Sequence, residues 1–364
     1  MPKNQTYHPA AWEKKSGDFF VESAINFVTA IIWYLRKYRD GLFCTLPHVI
    51  ELMQVEYAKL FTILQLEEDI SALINPFVKA FQSNVFPQLE GQIASAKIAM
   101  ARLVSPQLYY VLSGNDFTLD VNNPDEPKLV CMGNNPQKTQ TFGAVLSTYV
   151  NRMLKIINQK GKKKCMLLFE EFPTLSADLI PTITTGRSNE LACVLVIQDE
   201  SQLRKDYGRE KADVIMNTVG NIVSGQVLGQ SAKHLSDRIG RIMQDRESLS
   251  INMDGTSISK SKQLEATVPA SKIAGFSSGE FAGVVADTPS QPISQKAFHC
   301  RIDADFKAIE AEEKSHKSIP VIRQVDALMV QRNFLQIREE VLQIAETELE
   351  NMKADPGLRH LVLE

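Results

Sequence analysis

Short apolar runs alternate with helical stretches between about residues 128 and 302, and this alternation constrains the fold more than any other feature. The runs are too short for helices and are nearly unbroken, which is typical of strands buried on both faces. Such strands, separated by helices, predict a mostly parallel sheet covered by helices. The predicted strands are Leu129–Met132, Cys165–Phe169, Val194–Ile197 and Ile222–Val227, and the predicted helices that follow them are Phe142–Ile157, Asp178–Asn189, Arg209–Met216 and Ala232–Ile242.

The other regions of the chain have different patterns. Residues 1–18 form a polar N-terminal segment. Residues 19–112 contain successive helical segments without strand alternation, which predicts an all-α domain. Residues 113–305 are the predicted α/β domain, and residues 306–364 are a predicted helical C-terminal tail. The fold class is therefore α/β, with an all-α domain before the sheet and a helical tail after it.

The tail carries apolar residues near one stripe of a helix. They are Phe334, Ile337, Val341, Ala345 and Met352. Packing against the chain's own core is the favoured interpretation of this stripe, and an interaction helix for a partner is the alternative.

The later part of the α/β region is less regular. Residues 245–266 are polar and rich in Ser and Lys, which predicts a mobile excursion from the domain. Two further apolar runs, Phe281–Val285 and Ala297–Ile302, are expected to return to the edge of the sheet as strands.

Composition and charge exclude several classes of protein. Hydrophobic residues make up 44% and charged residues 23% of the 364 residues, as in folded soluble proteins. The net charge of −3 excludes a uniformly basic nucleic-acid coat, although it leaves room for a local basic groove. The N-terminal MPKNQTYHPAAWEKK is too polar for a signal peptide, and the longest apolar stretch, Ala24–Leu35, is too short to span a bilayer. We therefore expect a soluble chain.

The five cysteines are scattered and form no CxxC pair. This spacing argues against a structural zinc site and favours a reducing compartment. Cys131, Cys165 and Cys193 lie within apolar runs and are predicted to be small buried hydrophobic residues.

An acidic pair, Glu170 and Glu171, directly follows one predicted strand in the segment LLFEEFPTL. Parallel sheets bind ligands at the carboxyl ends of their strands, so the pair is expected at a ligand-binding edge. One acid there can order the water shell of Mg²⁺, and its neighbour can activate a water for attack on a terminal phosphate. This is a Walker B arrangement with Glu170 in the place usually held by Asp. Acids are also common at exposed strand ends, so the pair alone is a weak signal.

Two further residues strengthen this interpretation. Gln198 follows the next strand, where its amide can sense a γ-phosphate and orient water. Arg187 lies between the two strands and can reach a nucleotide held by a neighbouring subunit, stabilising charge in the transition state. For each residue taken singly there is an alternative interpretation, a strand-end cap for Gln198 and a solvated helix residue for Arg187. The joint order of acid pair, Arg and Gln favours a nucleotide site.

Several segments together resemble the motor domain of the TraG/TraD-type coupling proteins, the conjugative DNA-transfer ATPases of type IV secretion. The Bacteroidetes mobilisation versions look most similar. The motor-like segments are LLFEEFPTL, GRSNELACVLVIQDESQL, NTVGNIVSGQV and GEFAGVVAD. DFFVESAINFVTAIIWYLRKY and PQLEGQIASAKIAMARLVSP are similar to the all-α domain of that family. The resemblance covers most of residues 10–305.

The resemblance implies a RecA-like P-loop NTPase core that uses ATP and Mg²⁺ and works as a homo-hexameric ring at the cytoplasmic face of the inner membrane. Such rings bind relaxase-attached single-stranded DNA, meet relaxosome proteins through the all-α domain, and pass the DNA to a type IV secretion channel. By the same resemblance, Glu171 is the catalytic glutamate and Glu170 is the metal-associated acid, acting through water. Gln198 is the polar sensor that contacts the nucleotide, and Arg187 is the arginine finger given in trans.

A DNA contact is predicted in the segment after Gln198. It combines basic and aromatic residues, Arg204, Lys205 and Tyr207. In a RecA-type ring such a loop can point into the pore and touch phosphates. An ordinary exposed loop is the alternative.

The sequence departs from the family in one large respect, because it contains no GxxxxGK[ST] loop. The stretch from Gly161 to Lys164 precedes a strand instead of following one, so it cannot cradle phosphates at the start of a helix. We therefore expect a partial motor domain, the Walker B half, that does not turn over ATP alone. The alternatives are a non-catalytic relaxosome-binding adaptor and a fragment of a chromosome-partitioning or packaging ATPase, which the helical insertion disfavours.

Overall fold

The computed structural model of the chain describes residues 18–252, 255–288 and 290–363. Its helices are α1 Phe19–Lys37, α2 Leu46–Leu52, α3 Tyr57–Leu64, α4 Ser71–Gln82, α5 Phe86–Ala101, α6 Pro106–Ser113, α7 Thr139–Ile157, α8 Ile180–Thr185, α9 Glu200–Tyr207, α10 Arg209–Thr218, α11 Gly229–Ile239, α12 Ala270–Ala274, α13 Phe306–Ser315 and α14 Ala327–Ala354. Its strands are β1 Cys165–Phe169, β2 Leu191–Leu195, β3 Ile222–Ser224, β4 Arg241–Asn252, β5 Gly255–Ala266, β6 Glu280–Val284 and β7 Ala297–Arg301.

The described residues divide into two compact units. The helical unit takes those of Met1–Thr118, Asn135–Phe142 and Pro320–Glu364, and the α/β unit takes Leu119–Asn134 and Gly143–Ile319. The predicted tail, residues 306–364, is therefore split at Pro320, and its later part belongs with the helical unit. The predicted N-terminal segment, residues 1–18, lies outside the described residues apart from Asp18.

The first helix of the helical unit shows why the sequence folds as it does. The Asp18 side chain caps α1 by accepting a hydrogen bond from the Phe20 amide (2.9 Å), which satisfies one of the free N–H groups at a helix start. Phe27, Ile31 and Leu35, one on each of three successive turns of α1, are completely buried. The expectation that this apolar stretch is too short to span a bilayer does not hold by length, because Phe19–Gly41 is long and apolar enough to cross a membrane by length and composition alone, with 44% of its apolar window buried. A core helix passes the same test, so we assign α1 to the core.

The last long helix packs into the same core. Val341, Ile344 and Ala345 of α14 are buried in one cluster with residues of α1 and α3. The buried His48 ring contacts the Glu340 carboxylate (3.0 Å) from within this unit. The favoured interpretation of the tail stripe, packing on the chain's own core, is confirmed.

The α/β unit contains the predicted parallel pair, although β2 begins three residues before the predicted strand Val194–Ile197 and ends two residues before it. β1 and β2 run parallel with Cys165 opposite Leu191 and Phe169 opposite Leu195. One face of this pair is covered by α7, α9 and α10, whose buried side chains form one cluster with Phe169. These helices hold the carboxyl ends of β1 and β2 in a fixed position.

Three expectations about the other strands are wrong. The strand predicted at Leu129–Met132 does not form, and Leu129 is 95% exposed. β3 was expected to extend the parallel sheet, but it pairs antiparallel with β6, which pairs antiparallel with β7. β6 and β7 therefore form a separate three-stranded sheet with β3 instead of returning to the edge of β1–β2.

The polar stretch predicted as a mobile excursion is a hairpin. β4 and β5 form an antiparallel ladder from the pair Arg241 and Ala266 to the pair Asn252 and Gly255. Backbone groups that hydrogen-bond to each other along a two-stranded ladder do not need an apolar run, so the hydrophobic pattern could not indicate it.

The cysteines match their prediction only in part. Cys131 is exposed, so its predicted burial is wrong, because the strand expected around it is missing. Cys165 and Cys193 are partly buried on the covered face of the parallel pair. Burial raises the pKa of the Cys193 thiol to about 11, which leaves it neutral and unreactive at neutral pH.

Candidate functional site

The acidic pair lies at the carboxyl edge of the parallel pair. The ladder continues one step past the strands, because the Val196 N–H donates to the Phe169 carbonyl (2.9 Å) and the Phe172 N–H donates to the Val196 carbonyl (3.0 Å). Glu170 and Glu171 are thus held beside the chain that leaves β2. Both carboxylates are exposed, as a group that binds a soluble ligand must be.

The backbone at Glu171 is in the left-handed region, with φ 50° and ψ 47°. For a residue with a side chain this conformation costs about 1 kcal/mol or more and persists only where neighbouring contacts hold it. Thr174 supplies those contacts, since its amide N–H and its hydroxyl both donate to the Glu171 carbonyl at 2.9 Å. Phe172 and Pro173, the next residues of the turn, are buried. The turn re-aims Glu171 away from the direction that a continued strand would give it.

The amide of Gln198 meets the second acid of the pair. Gln198 Nε2 lies 3.3 Å from Glu171 Oε1 and donates a hydrogen bond to it. The structure therefore brings together two residues that are 27 positions apart and that the sequence predicted for one site. A carboxylate has several acceptor positions, so Glu171 held in this way can still accept a hydrogen bond from a water.

Arg187 lies away from this cluster. It is exposed in a short 3₁₀ turn, Gly186–Asn189, at the amino end of β2. Gln198 follows the carboxyl end of the same strand, so about 15 Å of strand, at roughly 3.3 Å per residue, separates the two edges. The structure does not bring Arg187 together with Glu171 and Gln198 within one chain. A role in trans on a neighbouring subunit stays a prediction.

The segment with the predicted DNA-contact residues is a helix, not the loop expected from the sequence. α9 spans it, and Arg204 forms ion pairs with Glu200 (2.7 Å) and Asp213 (3.0 Å). The Tyr207 hydroxyl donates to the Leu175 carbonyl (2.5 Å). Lys205 is the exposed member of the predicted set.

Tyr207 in particular has a structural role. Its ring stacks on the Phe172 ring with the centroids 4.8 Å apart, and its hydroxyl also accepts a hydrogen bond from the Ala177 amide (3.2 Å). These contacts fasten α9 to the turn that follows the acidic pair. The placement of Glu171 therefore depends on Tyr207 through Phe172.

A second set of polar contacts, missed from the sequence, begins immediately after Gln198. Asp199 caps α9 by accepting from the Ser201 amide (2.7 Å), and its other oxygen accepts from the Ser231 hydroxyl (2.7 Å). Glu200 contacts the His234 ring (2.9 Å). Ser231 and His234 belong to α11, so the residues beside Gln198 are tied to that helix. Asp199 followed three residues later by Gln202 is a sequence signature of a helix start. The sequence does not indicate that α11 is the helix that these residues contact.

The pKa of Asp199 reflects these contacts. Burial alone would raise it, but hydrogen bonds from Ser201 and Ser231 outweigh that effect and hold the pKa below its usual range. Asp199 is therefore ionised at neutral pH and acts as an acceptor for both serines.

The donor set at this edge fits the water shell of a magnesium ion better than a metal site made of protein alone. Mg²⁺ keeps several waters and takes one or two carboxylates together with substrate phosphates. Glu170 and Glu171 supply exposed carboxylates. Over the described part of the chain, no group of three or more His, Cys, Asp or Glu residues could hold a metal. Phosphate oxygens must then complete the coordination, and no glycine-rich loop in the sequence is placed to bind them.

Comparison with known proteins gives a family and a fold. The family model described as "Type IV secretory system Conjugative DNA transfer" matches residues 6–268. No curated protein sequence matches the chain at a significant level. Among solved structures, the bacterial conjugative coupling protein TrwBdeltaN70 in its unbound form is 14% identical with a TM-score of 0.57. That match covers 79% of this chain and 64% of the other, so the chain spans less than two thirds of that relative.

Ligand-bound forms of the same protein match in a similar way. Plasmid coupling protein TrwB in complex with ADP and Mg²⁺ is 14% identical with a TM-score of 0.52, over 81% of this chain and 68% of the other. TrwB in complex with the ATP analogue ADPNP is 14% identical with a TM-score of 0.53, over 79% and 64%. At this identity the likeness concerns the fold, and it confirms the predicted RecA-like α/β class with its all-α domain.

Proposed function

Because the chain belongs to the type IV secretory system conjugative DNA transfer family, we propose that it is the Walker B half of a coupling-protein motor, which links relaxase-bound DNA to a type IV secretion channel. The observation that carries the proposal is the hydrogen bond between Gln198 and Glu171 at the carboxyl edge of β1 and β2. An acid and an amide held together at that edge suit the hydrolysis of a nucleoside triphosphate.

In this proposal Glu171, Glu170 and Gln198 act on one nucleotide at the carboxyl edge, and Arg187 acts away from it. Glu171 orients the attacking water and takes its proton while the water oxygen bonds to the terminal phosphorus and the bridging oxygen leaves. Glu170 would hold a water of a Mg²⁺ shell, and the ion would neutralise charge on the phosphates. Gln198 contacts the terminal phosphate and, through its bond to Glu171, reports whether that phosphate is present. Arg187 acts on the nucleotide of a neighbouring subunit in a homo-hexamer.

ATP and Mg²⁺ are the proposed ligands of the complete site. TrwB has been crystallised with ADP and Mg²⁺ and with an ATP analogue, which supports the same ligands here. The 364 residues contain no loop that would bind the phosphates, so we expect no measurable ATP hydrolysis by this chain alone.

The proposed partners follow from the same role. They are relaxase-bound single-stranded DNA, relaxosome proteins that meet the helical unit, and the secretion channel. The proposed location is the cytoplasm, at the cytoplasmic face of the inner membrane when the motor is complete. Contact with DNA through α9 is retained for Lys205, which is exposed. Arg204 and Tyr207 are less suited to it because both are engaged within the α/β unit.

Replacement of Glu171 tests the motor directly. With Glu171→Gln in the native gene, we expect the frequency of DNA transfer between cells to fall by roughly 100-fold or more, the usual effect of losing a general base. The matched control is Glu312→Gln, which removes an exposed carboxylate from α13, outside the site. Normal transfer by the Glu171 variant, with wild-type protein levels, would contradict the proposal.

An alternative function is favoured by one observation, the lack of a phosphate-binding loop in the sequence. In this alternative the chain is a non-catalytic adaptor, with the helical unit binding relaxosome proteins and the α/β unit serving as scaffold. The two functions differ in one outcome. An adaptor supports normal transfer with Glu171→Gln or Arg187→Ala and fails only when the gene is deleted.

A further inference from the structure

A row of leucines lies on the outer side of α14. The side of this helix that faces the core of the helical unit is buried through Ile337, Val341 and Ile344. Leucines repeat every seven residues along a different side. They are Leu328, Leu335, Leu342 and Leu349, which we call the leucine row. The first three are 58%, 54% and 57% exposed, and the fourth is partly buried.

The spacing of the leucine row is that of helices that pair with each other. Seven residues make nearly two turns of an α-helix, so the leucines share one side and lie roughly 10 Å apart at 1.5 Å per residue. Single exposed leucines are common on protein surfaces. A helix that packs only against its own domain needs one apolar stripe, and α14 has that stripe buried in the core. The leucine row is a second stripe, which the described residues leave largely uncovered.

The charges that flank the leucine row follow an order that favours a particular partner. Six charged side chains beside the row are exposed. From the start of the helix to its end they are Arg332, Arg338, Glu339, Glu346, Glu350 and Lys353. The first half of the helix thus presents two bases, and the second half presents three acids followed by one base. A helix with the same order, laid antiparallel, meets most of these charges with the opposite sign.

A second copy of α14 supplies that order. When two copies lie antiparallel with their leucine rows in contact from end to end, Arg332 of each comes beside Glu346 of the other. In the same arrangement Lys353 comes beside Asp326, the exposed residue that caps the start of α14. A parallel arrangement instead sets each charge against the same charge, which is unfavourable. A helix of an unrelated protein would not require α14 to be complementary to itself.

We propose that the leucine row binds α14 of a second copy of this chain, antiparallel and about a two-fold axis. The axis lies between Arg338 and Glu339, so that each of these side chains meets its opposite charge in the other copy. A two-fold contact joins two copies and does not close a ring. It is therefore additional to the subunit contacts of the proposed homo-hexamer, and it does not depend on the motor function.

Replacement of two exposed leucines tests the contact. Sedimentation equilibrium of the 364-residue chain is measured over a range of concentrations, and we expect the mass to rise from 40.7 kDa to twice that value. With Leu335→Gln and Leu342→Gln combined, the mass should stay at that of one chain. The matched control is Ile98→Gln on α5, which removes an apolar side chain of similar exposure, 62%, from another helix of the same unit. Circular dichroism checks that each variant is folded.

Exchange of two charges tests the antiparallel order and leaves the leucines unchanged. Arg332→Glu alone and Glu346→Arg alone should each weaken association several-fold, because each sets like charges side by side. The two combined should restore association to nearly the wild-type value, because opposite charges then meet again. In a parallel pair the combination would place like charges together and would not restore association. Arg338 is left unchanged because it contacts Glu51 of α2 (3.5 Å).

Three results would overturn the proposal. The first is a chain that stays monomeric at every concentration. The second is association, to any size, that the variant with two leucines replaced leaves unchanged. The third is a combination of the two charge variants that associates no better than either one alone. None of these results bears on DNA transfer by Glu171→Gln, so they are distinguishable from a failure of the proposed motor function.

Discussion

The helical unit and the α/β unit bury their apolar residues in different ways. In the helical unit Phe27, Ile31 and Phe61 are completely buried, and α14 closes the core although it lies far along the chain. In the α/β unit one face of the parallel pair packs into the core, whereas on the other face Met166 is 64% and Leu168 61% exposed. A helix presents a single apolar stripe, so a few helices can close on themselves, whereas a parallel sheet needs a layer on each side. Among the described residues the helical core is therefore closed, whereas one face of the parallel pair is exposed.

The largest effect is expected in the helical core. Phe61→Ala should lower the free energy of unfolding of that unit by about 3–5 kcal/mol, because it removes a fully buried aromatic ring and leaves a cavity. Native-state hydrogen exchange of the α3 amides measures this. A loss below about 1 kcal/mol would mean that the helical core is loosely packed and that the contrast between the units is overstated.

An intermediate effect is expected at Tyr207. Tyr207→Phe keeps the stack on Phe172 but removes the hydroxyl that bonds to Leu175 and Ala177. Loss of these bonds should lower the stability of the α/β unit by about 1–2 kcal/mol. Urea unfolding monitored by far-ultraviolet circular dichroism measures this loss of stability. Unchanged stability with weakened DNA binding would favour the DNA role predicted from the sequence.

A small effect is expected on the exposed face of β1, which carries Met166 and Leu168. Leu168→Ala should change the stability of the 364-residue chain by no more than about 0.5 kcal/mol, because its side chain is 61% exposed. The same urea titration measures it. A loss as large as that at Phe61 would show that this face is covered within the chain. The two units would then not differ in how they bury their apolar residues.

The smallest effect is a dependence on pH at Asp199. Its pKa is lowered because bonds from Ser201 and Ser231 outweigh burial, so the ionised form stabilises the fold above the unfolded pKa of about 3.9. That contribution is lost as the pH falls through the lower folded pKa. The difference in urea midpoint between wild type and Asp199→Asn should shrink from pH 6 to pH 3. A difference that grows toward acid would contradict the assigned shift.

The sequence was sufficient for the parallel pair and its acidic edge. Unbroken apolar runs indicated β1 and β2, and the rule that parallel strands end at one edge brought Glu171 and Gln198 together. It was not sufficient for pairings that depend on distant contacts. β3 was expected to extend the parallel pair, yet it pairs antiparallel with β6, a choice that local pattern does not encode.

Two other features of the structure also could not be predicted from the sequence. Leu129–Met132 has the pattern of a strand but makes no ladder, since strand propensity matters only where a partner edge is available. The covering of Asp199 and Glu200 by α11 is a tertiary contact between residues more than thirty positions apart, with side-chain partners that are common everywhere on protein surfaces.

The most direct test of the account is the ATP turnover of the assembled motor isolated from native cells. We expect wild-type assembly to hydrolyse ATP with Mg²⁺ present, and Glu171→Gln to bind ATP with similar affinity while turnover falls by roughly 100-fold or more. Turnover by the Glu171 variant equal to that of wild type would contradict the assignment of this edge as the catalytic site.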